Sequence, residues 1–237
     1  HVTYDLLNHS MSFAPHGPSF FSADMGPITT DSSDKPYTLS VDFDWVGVLA
    51  FDSANNDYSY NSSFENLDPS GASVTTRGMA FDDNDTLYLL KSRPYPGWWW
   101  GPPTAELYTV DTTPGYHDYF PNLIGALPLI LNNDAEVTSL AFHDDRFYTY
   151  LSPGGLVAIN PNNAHSYLLT PNMQNAAQLI PGKVLVRGLC ISDSGVFYAS
   201  FQPTSRTNHH DYFPYIVIID PETGALSYIN EYVPNYF

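Results

Sequence analysis

The sequence predicts an all-β chain made of four copies of one four-stranded antiparallel unit. Three observations carry this: a strand-forming composition, no helical periodicity and a fourfold self-similarity. Tyr (18), Phe (14) and Trp (4) are abundant while Lys and Arg total 8, and aromatic residues with Val and Thr suit half-buried pleated surfaces. No long stretch spaces apolar residues at i, i+3, i+4 and i+7, and the 20 Pro and 15 Gly are spread along the chain, which breaks helices and punctuates short strands.

The self-similarity begins with a hairpin. Four segments share small–apolar–small–apolar, a polar turn and an aromatic strand: Ser10-Met11-Ser12-Phe13 running on to Phe21, Gly78-Met79-Ala80-Phe81 to Leu89, Ser139-Leu140-Ala141-Phe142 to Tyr148, and Gly188-Leu189-Cys190-Ile191 to Tyr198. A second hairpin follows each: Val46–Asp52 with Tyr58, Glu106–Asp111 with Tyr119, Gly155–Asn160 with Tyr167, and Tyr215–Asp220 with Tyr228. An apolar strand ending in Asp or Asn, then a Gly/Pro/Asn turn, is the signature of a tight connection. Two hairpins make a four-stranded sheet whose apolar faces need cover, and radial stacking supplies it.

These residues resemble the blades of NHL-like and YVTN-like secreted β-propellers, whose pattern Gly-x-Ala-Phe-Asp-x-x-Gly-x-Leu-Tyr precedes Leu-Tyr-x-Val-Asp-x-x-Thr-Gly. Residues 78–88 with 107–115, and 188–198 with 216–224, match best. The resemblance implies a small β-propeller with four four-stranded blades in a single domain over 1–237, with approximate blades 8–61, 75–128, 137–180 and 186–230. Blade 1 departs most: Pro15 and Pro18 stand in its turn and residues 22–40 read as a long loop. His1–Leu7 and Glu231–Phe237 are strand-compatible and are expected to pair, closing the ring. A two-sheet sandwich is the competing architecture.

A formal charge of −17 argues against nucleic acid and anionic membranes, both polyanions, and no apolar run is long enough for membrane insertion. The absence of an initiator Met and of a basic leader makes His1 read as a mature terminus of a secreted, extracellular chain. Sequons at Asn8, Asn61 and Asn84 fit a glycoprotein, with Asn84 in an expected turn. Cys190, the one cysteine, excludes an internal disulfide and reads as a buried small hydrophobe.

Four candidate sites follow. If the first strand of each blade lines the axis, His9, Arg77, Thr138 and Arg187 stand in equivalent positions at the channel mouth. Two Arg there, among five in the chain, would suit a carboxylate, phosphate or acidic sugar, or would pair with neighbouring Asp. The insertion Arg93–Pro103 carries Tyr95, Trp98, Trp99 and Trp100 between Pro and Gly residues. Such a stiff loop suits sugar stacking or an interface hot spot, or folds over as a lid. The acidic turns at Asp42, Asp44, Asp52, Asp57, Asp82–Asp85, Asp144 and Asp145 lack the calcium-loop spacing, leaving a weak calcium site as the alternative to ordinary turn residues. His209-His210 are adjacent and not metal-spaced, so no metal, and no cofactor, is expected.

Hydrolase signatures are missing: no Gly-x-Ser-x-Gly, His-Glu-x-x-His or phosphate loop occurs. The leading expectation is a non-enzymatic extracellular interaction or structural protein, with a protein partner or self-association in a surface or fibre assembly. A carbohydrate-binding module using the Trp loop is the alternative, and a degenerate propeller hydrolase or lyase the second.

Overall fold

The computed structural model describes residues 2–5, 10–13, 25–42, 45–54, 57–65, 75–92, 105–118, 121–128, 136–152, 155–170, 184–203 and 215–230. All regular structure among them is strand. No helix there is long and apolar enough to cross a membrane.

Four antiparallel sheets follow one another along the chain. Blade 1 is β3 (Met25–Thr30), β4 (Pro36–Asp42), β5 (Trp45–Asp52) and β6 (Asp57–Glu65), and blade 2 is β7 (Thr75–Phe81), β8 (Leu87–Ser92), β9 (Ala105–Val110) and β11 (Asn122–Ala126). Blade 3 is β12 (Glu136–His143), β13 (Arg146–Ser152), β14 (Gly155–Ile159) and β15 (Ser166–Leu168), and blade 4 is β16 (Val184–Ile191), β17 (Phe197–Pro203), β18 (Tyr215–Ile219) and β19 (Leu226–Asn230). Their first strands pack side by side, β3 on β7, β7 on β12 and β12 on β16. This is a β-propeller of four blades.

Each sheet is held by the chemistry of its turns. In blades 1 and 2, Asp31 and Asp82 each accept two bonds on Oδ1 from backbone N–H groups two and four residues on, while Asp34 (φ 60°) and Asp85 (φ 57°) take the left-handed position. In blade 4 Ser192 Oγ accepts from one backbone N–H, that of Val196, and Gly195 (φ 78°) takes the left-handed position. Blade 3 instead turns on Asp144 (φ 47°) and Asp145 (φ 58°), a two-residue hairpin that Asp tolerates. Ser32 of the blade 1 turn donates its N–H and Oγ to the two carboxylate oxygens of Asp85, 2.7 Å each, tying adjacent blades together.

Between blades lie three apolar layers. Val46, Val48 and Phe64 of blade 1 meet Met79 and Leu89 of blade 2; Ala80 and Leu107 meet Leu140 and Phe147; Ala141 and Leu156 meet Leu189, Phe197 and Val217. A Tyr–Phe rung repeats at each: Tyr37 on Phe81 (4.9 Å between ring centroids), Tyr88 on Phe147 (4.5 Å) and Tyr148 on Phe197 (5.0 Å). Two of these pairs are edge-on and Tyr88–Phe147 is tilted; edge-to-face pairs add about 0.5–1.5 kcal/mol each beyond burial.

Blade 1 corrects the repeat register. Its first hairpin is Met25–Leu39, inside the stretch expected to be a loop, and Ser10–Phe13 (β2) instead pairs with β1 (Val2–Asp5) in a separate two-stranded sheet. Blade 1 therefore runs 25–65 and not 8–61. The strand pattern was hidden because Pro27 falls at a bulge between Met25 and Ile28, and Pro36 opens β4, both places where a strand tolerates proline. The described N-terminal strand thus pairs with β2, and residues 231–237 lie outside the described residues.

Blade 2 differs as well. Its fourth strand is β11 and not the Tyr119 segment. Tyr116–Asp118 (β10) crosses to run parallel to β6 on the outer edge of blade 1. Asn61 sits at a bulge in β6, where its Nδ2 donates to the Thr112 carbonyl and its own carbonyl accepts from Gly115 N–H at 2.7 Å. The crossing segment is thereby fastened to the neighbouring blade.

Cys190 is the remaining correction: it reaches solvent instead of being buried. Desolvation by its surroundings still pushes its thiol pKa up, which keeps it protonated at neutral pH.

Candidate functional site: the loop-bearing end of the propeller

Strand direction sorts the connections onto two ends. In every blade the first-to-second and third-to-fourth turns leave one end, and the second-to-third loops and interblade links leave the other. The first end holds short, Asp-rich turns around 31–35, 82–86, 144–145, 192–196 and 220–225. From strand ends at the opposite end issue the segments 66–74, 93–104, 129–135, 171–183 and 204–214. A binding surface is favoured there, because loops on a rigid scaffold carry variable side chains.

The sequence candidates distribute over this end as follows. Arg77, Thr138 and Arg187 lie in β7, β12 and β16, level with a bulge shared by all the first strands: between Thr76 and Gly78, Thr138 and Ala141, and Val186 and Gly188. Their backbone equivalence holds. In blade 1 the matching bulge falls between Met25 and Ile28, so the equivalent residue is Gly26, and His9 lies outside the described residues. Tyr95, Trp98, Trp99 and Trp100 belong to the 93–104 connection between Ser92 and Ala105, and they too lie outside the described residues, as does Asn8.

Of the sequons, Asn84 is exposed in its turn, its N–H donating to Asp82 Oδ1 at 2.9 Å. Asn61 is 7 % exposed and its amide nitrogen is engaged by Thr112. A glycan there would require the 112–118 segment to lift off blade 1.

One residue of this end escaped sequence reasoning. Lys91, just before the 93–104 connection, is completely buried between blades 1 and 2. Its Nζ lies 4.7 Å from the Phe64 ring centroid and 5.1 Å from that of Tyr108. Glu106 is its cross-strand partner and accepts a 2.5 Å bond from Tyr108 Oη. A desolvated cation over aromatic faces gains roughly 2 kcal/mol per good contact, and the arrangement pins the strand from which the Trp segment departs. The signal was available: Lys91 ends the run Leu87-Tyr88-Leu89-Leu90, where every other side chain is apolar.

The opposite end carries a groove of about 810 Å³ on blade 1, lined by Ser33, Asp34, Phe51, Asp52, Tyr60 and Asn61 among others. Tyr60 is 66 % exposed there. At this end of the propeller the turn aspartates are occupied: burial opposes ionisation of Asp31, but bonds from the Ser33 hydroxyl and the N–H groups of Lys35 and Ser33 outweigh it and lower its pKa. The Thr113 hydroxyl and N–H lower that of Asp111, and the Thr223 hydroxyl with the Glu222 and Thr223 N–H groups lower that of Asp220. Among the described residues no group of three His, Cys, Asp or Glu is placed to hold a metal ion.

No protein-family model matches the sequence, and no curated protein matches it. Solved structures do match in fold. The luciferin-regenerating enzyme is 10 % identical over 96 % of this chain and 68 % of its own, with a TM-score of 0.51. TolB from Acinetobacter baumannii is 13 % identical over 87 % of this chain and 43 % of its own (TM-score 0.48), and the Dos1 propeller is 10 % identical over 88 % and 60 % (TM-score 0.44). The chain thus spans under half the length of TolB, and at these identities the likeness is one of β-propeller fold.

Proposed function

We propose that the chain is a non-enzymatic extracellular interaction or structural protein, a self-associating subunit of a surface assembly whose partner-binding surface is the loop-bearing end. The observation that carries this is the uneven loading of the propeller's two ends: five connections, 66–74, 93–104 with Trp98–Trp100, 129–135, 171–183 and 204–214, issue from strand ends on one end, while on the other the one long connection, 111–121, is fastened to blade 1 through β10. Loops on such a scaffold, with aromatic anchors, are what recognition of a macromolecular surface requires.

The test is size-exclusion chromatography with light scattering over a wide concentration range, on the wild type and on a Trp98→Ala/Trp99→Ala/Trp100→Ala variant. A molar mass above that of one chain is expected for the wild type, reduced in the variant at unchanged Tm. A monomer at every concentration contradicts the proposal. A saccharide ligand is the second reading, favoured by the blade 1 groove, where exposed Tyr60 stands beside hydroxyls and carboxylates; a blank glycan array removes it.

A further inference from the structure

Among the described residues the interblade layer is built three times, and each of its two halves is left over once. The position occupied by Met79 (1 % exposed), Leu140 (5 %) and Leu189 (8 %) faces the preceding blade, and blade 1 fills it with Ile28, which is 55 % exposed. On the other face, Ala80 and Ala141 are buried by the following blade, and blade 4 fills that position with exposed Cys190. Tyr198 repeats Tyr88 and Tyr148 beside it, with Ile218 and Ile216 along the same face by strand alternation.

Glycine packing reports the same asymmetry. A Cβ on Gly78 would lie 2.3 Å from the Ser139 backbone of the next blade, whereas one on Gly188, the equivalent residue, would meet only Ser200 Oγ of its own blade, at 3.3 Å. Among the described residues, no packing like that of β12 on β16 joins β16 to β3.

We infer that the blade 4 face around Cys190 and Tyr198 docks on the blade 1 face around Ile28 of a second copy of this chain. The contact continues the interblade layers: Cys190 would meet Ile28 as Ala80 meets Leu140 and Ala141 meets Leu189, pairs that share one apolar cluster each. Pro36 stands where Phe147 and Phe197 receive the Tyr of the preceding blade, and its ring offers Tyr198 a stacking surface. No charged side chain belongs to the set Ile28, Pro36, Cys190, Tyr198, Ile216 and Ile218, so two chains of −17 meet across a neutral seam. Since the two faces differ, the contact is head-to-tail and either closes into a ring of chains or propagates as a fibre. The inference rests on the self-association reading and adds to the loop-bearing end a second, lateral contact between copies.

A single-site variant tests it. Ile28→Cys adds one thiol to the native Cys190, and a short bismaleimide then links the two where the faces meet. Cross-linked dimers and higher species are expected from Ile28→Cys, absent when Cys190→Ser is added. Ile28→Glu, at an exposed position, is expected to keep its Tm while weakening association at least tenfold. A link formed within one chain shows that the ring closes on itself and overturns the inference. So does wild-type association of Ile28→Glu together with no cross-link, a result that leaves self-association standing. A monomer at all concentrations overturns both.

Discussion

Replacing Gly78 by Ala probes a close backbone approach between blades 2 and 3. The new methyl would sit 2.3 Å from the Ser139 carbonyl carbon and 2.4 Å from Leu140 N, about 1.2 Å short of ordinary carbon contact. Both atoms are backbone of β12, and Leu140 beside them is core, so the strands of blades 2 and 3 must part. Overpacking of this kind costs about 3 kcal/mol at its upper range, offset by roughly 0.5–1 kcal/mol of relieved glycine entropy. A net loss of about 2 kcal/mol lowers the Tm of a chain this size by roughly 4–8 °C. Gly188→Ala is the internal control, because its methyl meets only a rotatable hydroxyl; it is expected to leave the Tm unchanged or raise it slightly. Differential scanning calorimetry on the two variants decides. Equal shifts would refute radial packing with one open seam.

The remaining predictions concern pH. Burial pushes the Tyr150 hydroxyl up from 10.0 to about 12, so the unfolded chain releases that proton first. Stability is then intact below pH 10 and falls as pH rises toward about 12, by up to about 2.7 kcal/mol at 1.36 kcal/mol per unit; burial also raises Tyr37, Tyr58, Tyr88 and Tyr148, so tyrosinate absorbance should lose one of several late-titrating groups in Tyr150→Phe. The lowered carboxyls of Asp31, Asp111 and Asp220 act in the other direction. Their contribution is complete above pH 3.8 and is lost as pH falls through the lowered folded values, so acid unfolding followed by circular dichroism should start below pH 4 and shift upward in Asp31→Ala.

Blades 2 to 4 were legible in the sequence because their second strands carry unbroken aromatic-apolar runs, Leu87-Tyr88-Leu89, Phe147-Tyr148 and Phe197-Tyr198, after short polar turns. Blade 1 was misread for a local reason. Gly26, Pro27 and Pro36 look like loop residues, while Ser10-Met11-Ser12-Phe13 imitates a first strand. The crossing of β10 had no local signal at all, since Tyr116–Asp118 finds its partner Ser62–Phe64 only through tertiary pairing. Cys190 was misjudged because strand alternation assigns a residue to a face but says nothing about whether another blade covers that face. Lys91 carries no local sign of burial beyond the apolar run it ends, since a charged residue ordinarily stays at the surface and only the tertiary approach of the Phe64 and Tyr108 rings accommodates it. Candidate binding residues were legible only as register positions, which Arg77, Thr138 and Arg187 keep, while Gly26 holds that position in blade 1 and His9 lies outside the described residues.

The central claim is that, among the described residues, the outer faces of blades 1 and 4 are left uncovered. Thiol modification of the native Cys190 by a chromogenic disulfide reagent tests it without any substitution. In dilute protein the account predicts a single accessible thiol reacting well before unfolding, and protection that grows with protein concentration as copies dock. A thiol as protected in dilute solution as a core residue, released only by denaturant, would contradict it and place a fourth covered interface within the single chain.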